Sequence, residues 1–185
     1  MFDPTAFDNL KVVLEGTLYD KDLNEELVIA DRNDTVNLAK LSRSFDFLFY
    51  LAGEKQNYTQ AKLLLESKLE NLASELLPGT DSSHLSGCRV QLYFYLEHKN
   101  KHHLFSEIQD ILTEIWGPER KITQSIQLNP LKNDEFISNT ISVNFDRMIY
   151  EDQIKDLIDM IDYMMDTLNK LDEWSAKQGG KNDSL

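Results

Sequence analysis

Several kinds of residue are scarce in this chain of 185 residues, and each scarcity excludes a class of protein. A single cysteine, Cys88, excludes an internal disulfide framework and predicts a reducing compartment. Seven glycines, with no G-x-G-x-x-G or P-loop pattern, argue against a phosphate-binding loop. No apolar run approaches the roughly 18 residues that cross a bilayer. Residues 1–10 lack the basic and apolar segments of a signal peptide, so we expect a cytoplasmic location.

Basic residues are also scarce relative to acidic ones. The chain has 32 aspartates and glutamates against 19 lysines and arginines, for a formal net charge of −13. Such a surface repels nucleic-acid phosphates and anionic lipid, so we expect neither nucleic acid nor membrane as a partner. High acidity commonly serves solubility. It is also suited to binding a basic protein partner, as an inhibitor, an immunity protein or a secretion chaperone would.

The remaining composition is that of one folded domain. Hydrophobic residues make up 41% of the chain and charged residues 28%, as in folded soluble proteins. We expect one α+β domain over residues 1–177 and a disordered polar tail over residues 178–185. Compact size and an Asn, Asp, Lys and Ile-rich composition indicate a bacterial source.

Strict alternation of apolar residues predicts most of the strands. Residues 42–51 are ambiguous, because their leucines also fit a helix that Gly53 would end. The alternating Phe45, Phe47 and Phe49 favour a strand there. The full set of predicted strands is 9–20, 27–31, 42–51, 88–98, 120–130 and 139–150.

Three segments have the apolar spacing of helices. Leucines predict one helix over residues 59–77, and a second follows the strand 88–98 and ends at Gly117 and Pro118. The third covers residues 150–174. The predicted order is β-β-β-α-β-α-β-β-α, an α+β fold with a largely antiparallel sheet and about three helices packed on one face.

The predicted strands carry tyrosines on the face opposite their core residues. These are Tyr19, Tyr50, Tyr93 and Tyr95. Tyrosine has good strand propensity, which accounts for the pattern without any function. Tyrosine is also enriched at protein interfaces, because it offers apolar area and a hydroxyl with few torsions to order. The second interpretation is a homodimer or partner interface across this face.

The last helix offers a second candidate surface. Its apolar stripe over three heptads is typical of a core helix with a solvated acidic face. The adaptable Met160, Met164 and Met165 would alternatively suit a partner groove or an oligomer seam.

The stretch EHKNKHHLF, residues 97–105, raises the question of a metal site. His98, His103 and Glu107 could supply three ligands. The stretch has no HExxH, CxxC or His-x-His spacing, and His103 and Glu107 also fit an exposed helical pair. We therefore predict no bound metal and no cofactor.

These observations favour a small acidic cytoplasmic protein that is not an enzyme. It would act by homodimerisation or by binding a protein partner, in a chaperone-like or inhibitor-like role. The mixture of acidity, small size, antiparallel sheet and long terminal helix is similar to that of secretion chaperones, an analogy of fold and charge alone. The alternative is a metal-dependent protein or enzyme that uses His98, His103 and Glu107.

Overall fold

The computed structural model describes residues 5–53, 59–76, 85–129, 131 and 135–178. Within these ranges it has four α-helices, six strands and a 3-10 turn at Glu151–Gln153 that leads into the last helix. The elements in chain order are α1 (Ala6–Leu23), β1 (Leu27–Asn37), β2 (Ser42–Leu51), β3 (Gln60–Ser67), α2 (Leu69–Leu76), β4 (Cys88–Lys99), α3 (His102–Trp116), β5 (Lys121–Gln127), β6 (Phe136–Ile149) and α4 (Ile154–Lys177).

The six strands form one antiparallel sheet in the order β1-β2-β3-β4-β6-β5. Strand β6 lies between β4 and β5, so the β4–α3–β5 connection joins two parallel strands that do not touch. Helices α1, α3 and α4 cover one face of the sheet. The predicted α+β class with a largely antiparallel sheet is therefore confirmed, with one helix more than expected.

The core lies between the sheet and this helical layer. The register aligns Phe47, Leu63, Leu92 and Val143 in one row across β2, β3, β4 and β6, and all four are fully buried or nearly so. Helix α4 lays its apolar stripe on this row, as predicted. The buried residues that α1 and α4 contribute are Phe7, Leu10, Leu14, Leu18, Leu157, Met160, Ile161, Met164, Leu168, Leu171 and Trp174.

The first element is a helix, so the prediction of a strand over residues 9–20 is wrong. Leu10, Leu14 and Leu18 recur every four residues, a spacing that satisfies both a strand parity and a helix face. Val12 distinguishes the strand from the helix, because a strand would bury Val12 with these leucines and α1 leaves it 64% exposed. Thr5 caps α1 by accepting a hydrogen bond from the backbone N–H of Asp8 at 3.3 Å.

The prediction of one helix over residues 59–77 is also wrong for its first half. Residues 60–67 form β3, in which Ala61, Leu63 and Leu65 face the core and alternate with half-exposed residues. Helix α2 begins only at Leu69. Leucine favours helices, but pairing with β2 on one side and β4 on the other decides the conformation of this segment.

Other predictions hold. Residues 42–51 are a strand, β2, as the phenylalanine alternation indicates. The strand near 27–31 is longer than expected and runs to Asn37. The predicted disordered tail, residues 178–185, lies outside the described residues except for Gln178. Among the helices of the described ranges, none is both long and apolar enough to cross a membrane.

Candidate functional site: the open face of the sheet

Helices α1, α3 and α4 pack on one face of the sheet, and we call the other face the open face. Helix α2 reaches the end of the open face, where Asn71 Nδ2 lies 3.9 Å from Met148 Sδ. The side chains of the open face alternate with the core residues along every strand. The register sets them side by side in rows that cross the whole sheet. The central row consists of Asp31, Leu48, Lys62, Tyr93, Ser142 and Thr123.

Three of the four predicted interface tyrosines lie on the open face. The rings of Tyr93 and Tyr95 stack with centroids 6.4 Å apart, and the Tyr93 hydroxyl donates a hydrogen bond to Gln91 Oε1 at 2.7 Å. Tyr50 lies at the end of β2. Tyr19 does not belong to this face, because it lies on α1 with its ring edge-on to Phe47 at 5.7 Å. Tyr19 was predicted to lie on the sheet only because residues 9–20 were predicted to be a strand.

A buried charge pair lies beside the stacked tyrosines. Asp46 is only 8% exposed, and Lys62 Nζ lies 2.9 Å from Asp46 Oδ1. Asn33 Nδ2 donates a second hydrogen bond to the same oxygen at 3.2 Å. Burial raises the pKa of Tyr95, with Lys62 opposing the shift and Asp46 adding to it. The centre of the open face therefore consists of neutral phenols next to a compensated ion pair.

The charges of the molecule are distributed unevenly between its two sides. The open face has as many basic as acidic side chains, whereas α1, α3 and α4 together carry thirteen acids and five bases. The acidity of the chain is thus concentrated on the helical layer. The charged residues of the open face are Asp31, Asp46, Glu66, Glu97, Lys62, Arg89, Lys99 and Lys121.

The methionines of α4 do not form a surface. Met160 is 5% exposed and Met164 is fully buried, both in the core cluster. Met165 is partly buried against the same cluster. In the single chain, the side chains of Met160 and Met164 are packed in the core, so a partner groove at these residues stays a prediction that this packing does not favour.

His98 points into the protein and is 3% exposed. Its Nδ1 lies 2.8 Å from the backbone carbonyl oxygen of Lys99, which can only accept, so Nδ1 carries the proton. Nε2 then accepts a hydrogen bond from Asn139 Nδ2 at 3.0 Å. Burial lowers the pKa of His98, and the hydrogen bond to Lys99 partly offsets the shift. The ring is therefore held neutral with both nitrogens occupied.

The other two candidate ligands have different surroundings. His103 is exposed on the first turn of α3. Glu107 accepts hydrogen bonds from Trp174 Nε1 at 2.7 Å and from Gln178 Nε2 at 3.2 Å. Across the described ranges, no three or more His, Cys, Asp or Glu side chains are grouped so that they could hold a metal ion.

Sequence reasoning missed the polar network around His98. Asn139 also donates to Gln124 Oε1 at 2.9 Å, and Gln124 Nε2 donates to the carbonyl of Phe105 at 2.9 Å. A signal was present, because Asn139 interrupts an otherwise apolar parity between Ile137 and Ile141. A polar residue at a core parity predicts a buried hydrogen-bond network.

Comparison with protein-family models, with curated proteins and with solved structures found no match to this chain.

Proposed function

We propose that this protein is not an enzyme and acts as a homodimer in which two open faces pack against each other. The observation that carries the proposal is the charge balance of the open face in a chain of net charge −13. Two such chains repel, so they associate most readily through the surface that contributes least to the repulsion. Face-to-face packing also places the two acidic helical layers on opposite outer sides of the dimer.

The size of the open face fits a stable interface. Six strands spaced about 4.8 Å apart, each contributing roughly seven residues of about 3.4 Å, give a flat footprint of about 600 Å². The accessible area follows the side chains and is larger than this footprint. It approaches the ~800 Å² per partner that typical protein interfaces bury.

The chemistry of the face is that of an interface centre. Tyr93 and Tyr95 stack on each other, and the charged Asp46 is already paired with Lys62. Aromatic side chains in the centre of an interface contribute a large share of the binding energy. A charge that is compensated within its own chain costs less to bury than an unpaired one.

The helical layers would then serve a different purpose. In such a dimer they face outward with thirteen acidic and five basic side chains from each chain, which suits attraction of a basic protein partner in a chaperone-like or inhibitor-like role. We propose a cytoplasmic location, because a chain with one cysteine, Cys88, has no internal disulfide and suits a reducing compartment.

The test is sedimentation velocity on the wild type and two variants at about 10 μM, with far-UV circular dichroism to verify folding. Tyr95→Asp introduces a charge at the centre of the open face. Tyr163→Asp is the matched control, because Tyr163 is 51% exposed on the helical layer. We expect a wild-type dimer, and Tyr95→Asp should weaken it by about thirtyfold or more, as loss of a central tyrosine does.

Added salt should strengthen the dimer, because it screens the repulsion between two acidic chains. A wild-type monomer at this concentration would overturn the proposal. So would a dimer that Tyr163→Asp dissociates and Tyr95→Asp leaves intact.

A further inference from the structure

A cleft of about 270 Å³ opens on the helical side of the sheet. It lies between the end of α3, the first turns of α4 and the end of β6, and three aromatic and four charged residues are among those that line it. Its volume is slightly below that of clefts that hold drug-sized ligands, so it fits a molecule with a single ring.

The cleft lies where the sheet loses its regular pairing. Strand β5 begins opposite Asn144, so residues 145–147 of β6 have no described strand on that side. On the other side, the same three residues form a bulge opposite Val90 of β4. Bulges are common next to binding sites, because they re-aim side chains and end the pairing of strands. Two residues of this bulge, Phe145 and Arg147, line the cleft.

Aromatic rings form one side of the cleft. The ring centroid of Trp116 lies 5.8 Å from that of Phe145 and 5.9 Å from that of Tyr163. Trp116 is nearly buried, whereas Tyr163 is 51% exposed and presents its ring to the cleft. A planar ring packs well on such a surface, because aromatic pairs contribute binding energy beyond the area that they bury.

Arg120 gives the cleft a cation whose hydrogen-bond donors are unused. Its guanidinium carbon lies 5.1 Å from the centroid of the Phe145 ring. A guanidinium that lies over a ring keeps the N–H groups at its edges available. Glu119 Oε1 is 3.9 Å away, beyond hydrogen-bond distance, and no other carboxylate of the described residues lies within 4.0 Å. This partly buried guanidinium therefore lacks an anionic partner.

Two other arginines of the fold have such a partner. Arg32 lies over a phenylalanine ring and pairs with Glu15. Arg43 also lies over a phenylalanine ring, and its Nη1 lies 2.8 Å from Asp8 Oδ1. Each of these arginines contacts both a ring and a carboxylate, whereas Arg120 contacts a ring alone.

The acids that line the cleft do not fill this role. Asp156 Oδ2 accepts a hydrogen bond from Arg147 Nη2 at 3.0 Å, so these two charges compensate each other. Asp159 is exposed and lies more than 4.0 Å from the guanidinium of Arg120. An exposed carboxylate is solvated and screened, so it reduces the attraction of Arg120 for an anion without cancelling it.

We propose that this cleft is a binding site for a small aromatic carboxylate. The carboxylate accepts hydrogen bonds from the guanidinium of Arg120, and the ring packs against Tyr163. The net charge of −13 opposes the entry of anions in general, so the site favours those anions whose ring adds packing. The cleft is on the helical side of the sheet, and binding there does not depend on the dimer proposed above.

The probe is phenylacetate, titrated into the wild type and followed by the NMR signals of the backbone amides. We expect a Kd of about 1 mM or tighter, a modest affinity for a ligand of this size, with shifts concentrated at residues 115–120. Cyclohexylacetate keeps the charge without the aromatic ring and should bind about threefold to tenfold more weakly. The cation 2-phenylethylammonium keeps the ring and should bind weaker by about tenfold or more.

Three variants test the residues that carry the site. Arg120→Gln should weaken phenylacetate binding by about tenfold or more, because it removes the charged donors. Its matched control is Arg32→Gln, which removes the same charge from beside another phenylalanine ring on β1, at the opposite edge of the sheet. This control should change the Kd by less than about twofold.

Tyr163→Leu keeps apolar volume and removes an exposed ring. It should weaken phenylacetate binding by about threefold or more and leave cyclohexylacetate binding within about twofold. Far-UV circular dichroism verifies that all three variants fold.

Four results would each overturn the proposal. The first is no binding of phenylacetate up to about 10 mM. The second is equal weakening by Arg120→Gln and Arg32→Gln, which would mean non-specific attraction. The third is tighter binding of 2-phenylethylammonium, which would assign the cleft to a cation. The fourth is equal binding of cyclohexylacetate. The dimer is measured without these ligands, so its failure is a separate result.

Discussion

Acidification from about pH 8 to about pH 5.5 is expected to destabilise the fold through one side chain, His98. In the folded protein, Nε2 of His98 faces the amide nitrogen of Asn139, a donor, at 3.0 Å. A proton on Nε2 would set two donors against each other. Both hydrogens of the Asn139 amide are in use, because the second is donated to Gln124 Oε1. The fold therefore resists protonation of His98.

The sign of the effect follows from the lowered pKa of His98. An unfolded histidine has a pKa of about 6.5. As the pH falls below this value, the unfolded chain takes up a proton before the folded chain does. The contribution of neutral His98 to the free energy of unfolding is therefore fully present above about pH 6.5. This contribution is lost as the pH falls from the unfolded pKa of His98 towards its folded pKa. Between these two pKa values, the free energy of unfolding falls by up to about 1.4 kcal/mol for each pH unit, because the unfolded chain binds one more proton than the folded chain.

The assay is urea unfolding of the wild type and of His98→Gln at half-unit steps across this range. The wild-type free energy of unfolding should fall more steeply than that of the variant by up to ~1.4 kcal/mol per pH unit. The variant itself should be less stable near pH 8, because His98 packs edge-on against Phe105 and Trp174. Parallel curves for the two proteins would refute the reasoning.

Two further predictions concern stability and use the same urea assay. Trp174→Phe removes the donor to Glu107 Oε2 and should cost about 1–2 kcal/mol, whereas an unchanged midpoint would show that the hydrogen bond adds nothing. Gly87→Ala should cost about 1–3 kcal/mol, because the new Cβ would lie 2.7 Å from the Ile149 carbonyl oxygen. Its control is Gly16→Ala in α1, where the new Cβ has no neighbouring atom within 4 Å. This substitution should stabilise the protein by about 0.5–1 kcal/mol, because alanine has the higher helix propensity. Equal effects of the two substitutions on the free energy of unfolding would contradict the prediction.

Sequence patterns predicted the elements in which one period is favoured by residue type as well as by spacing. The alternating Phe45, Phe47 and Phe49 identified β2 although the leucines of the segment also fit a helix, and the apolar stripe of α4 identified a core helix. Patterns failed where two periods coincide, as for Leu10, Leu14 and Leu18 in α1. The signal for a helix in that segment was the cap at Thr5, followed three residues later by Asp8.

Strand β3 was beyond local reasoning for a different reason. Its leucines continue into those of α2, and no glycine or proline separates the two elements. The boundary near Ser67 depends on pairing with β2 and β4, which are distant in sequence. The open face could be predicted in part, because alternation assigned Tyr50, Tyr93 and Tyr95 to one side. The balance of its charges required the register of all six strands.

The separation of charge between the helical layer and the open face gives each single chain an electric dipole moment. On a positively charged resin or electrode, a single chain should therefore adsorb with its helices towards the surface. Tyr93 and Tyr95 would then face away from the surface, where the open face of a second chain can pack on them. Adsorption would thus hold the first chain in one orientation without blocking the dimer that we propose.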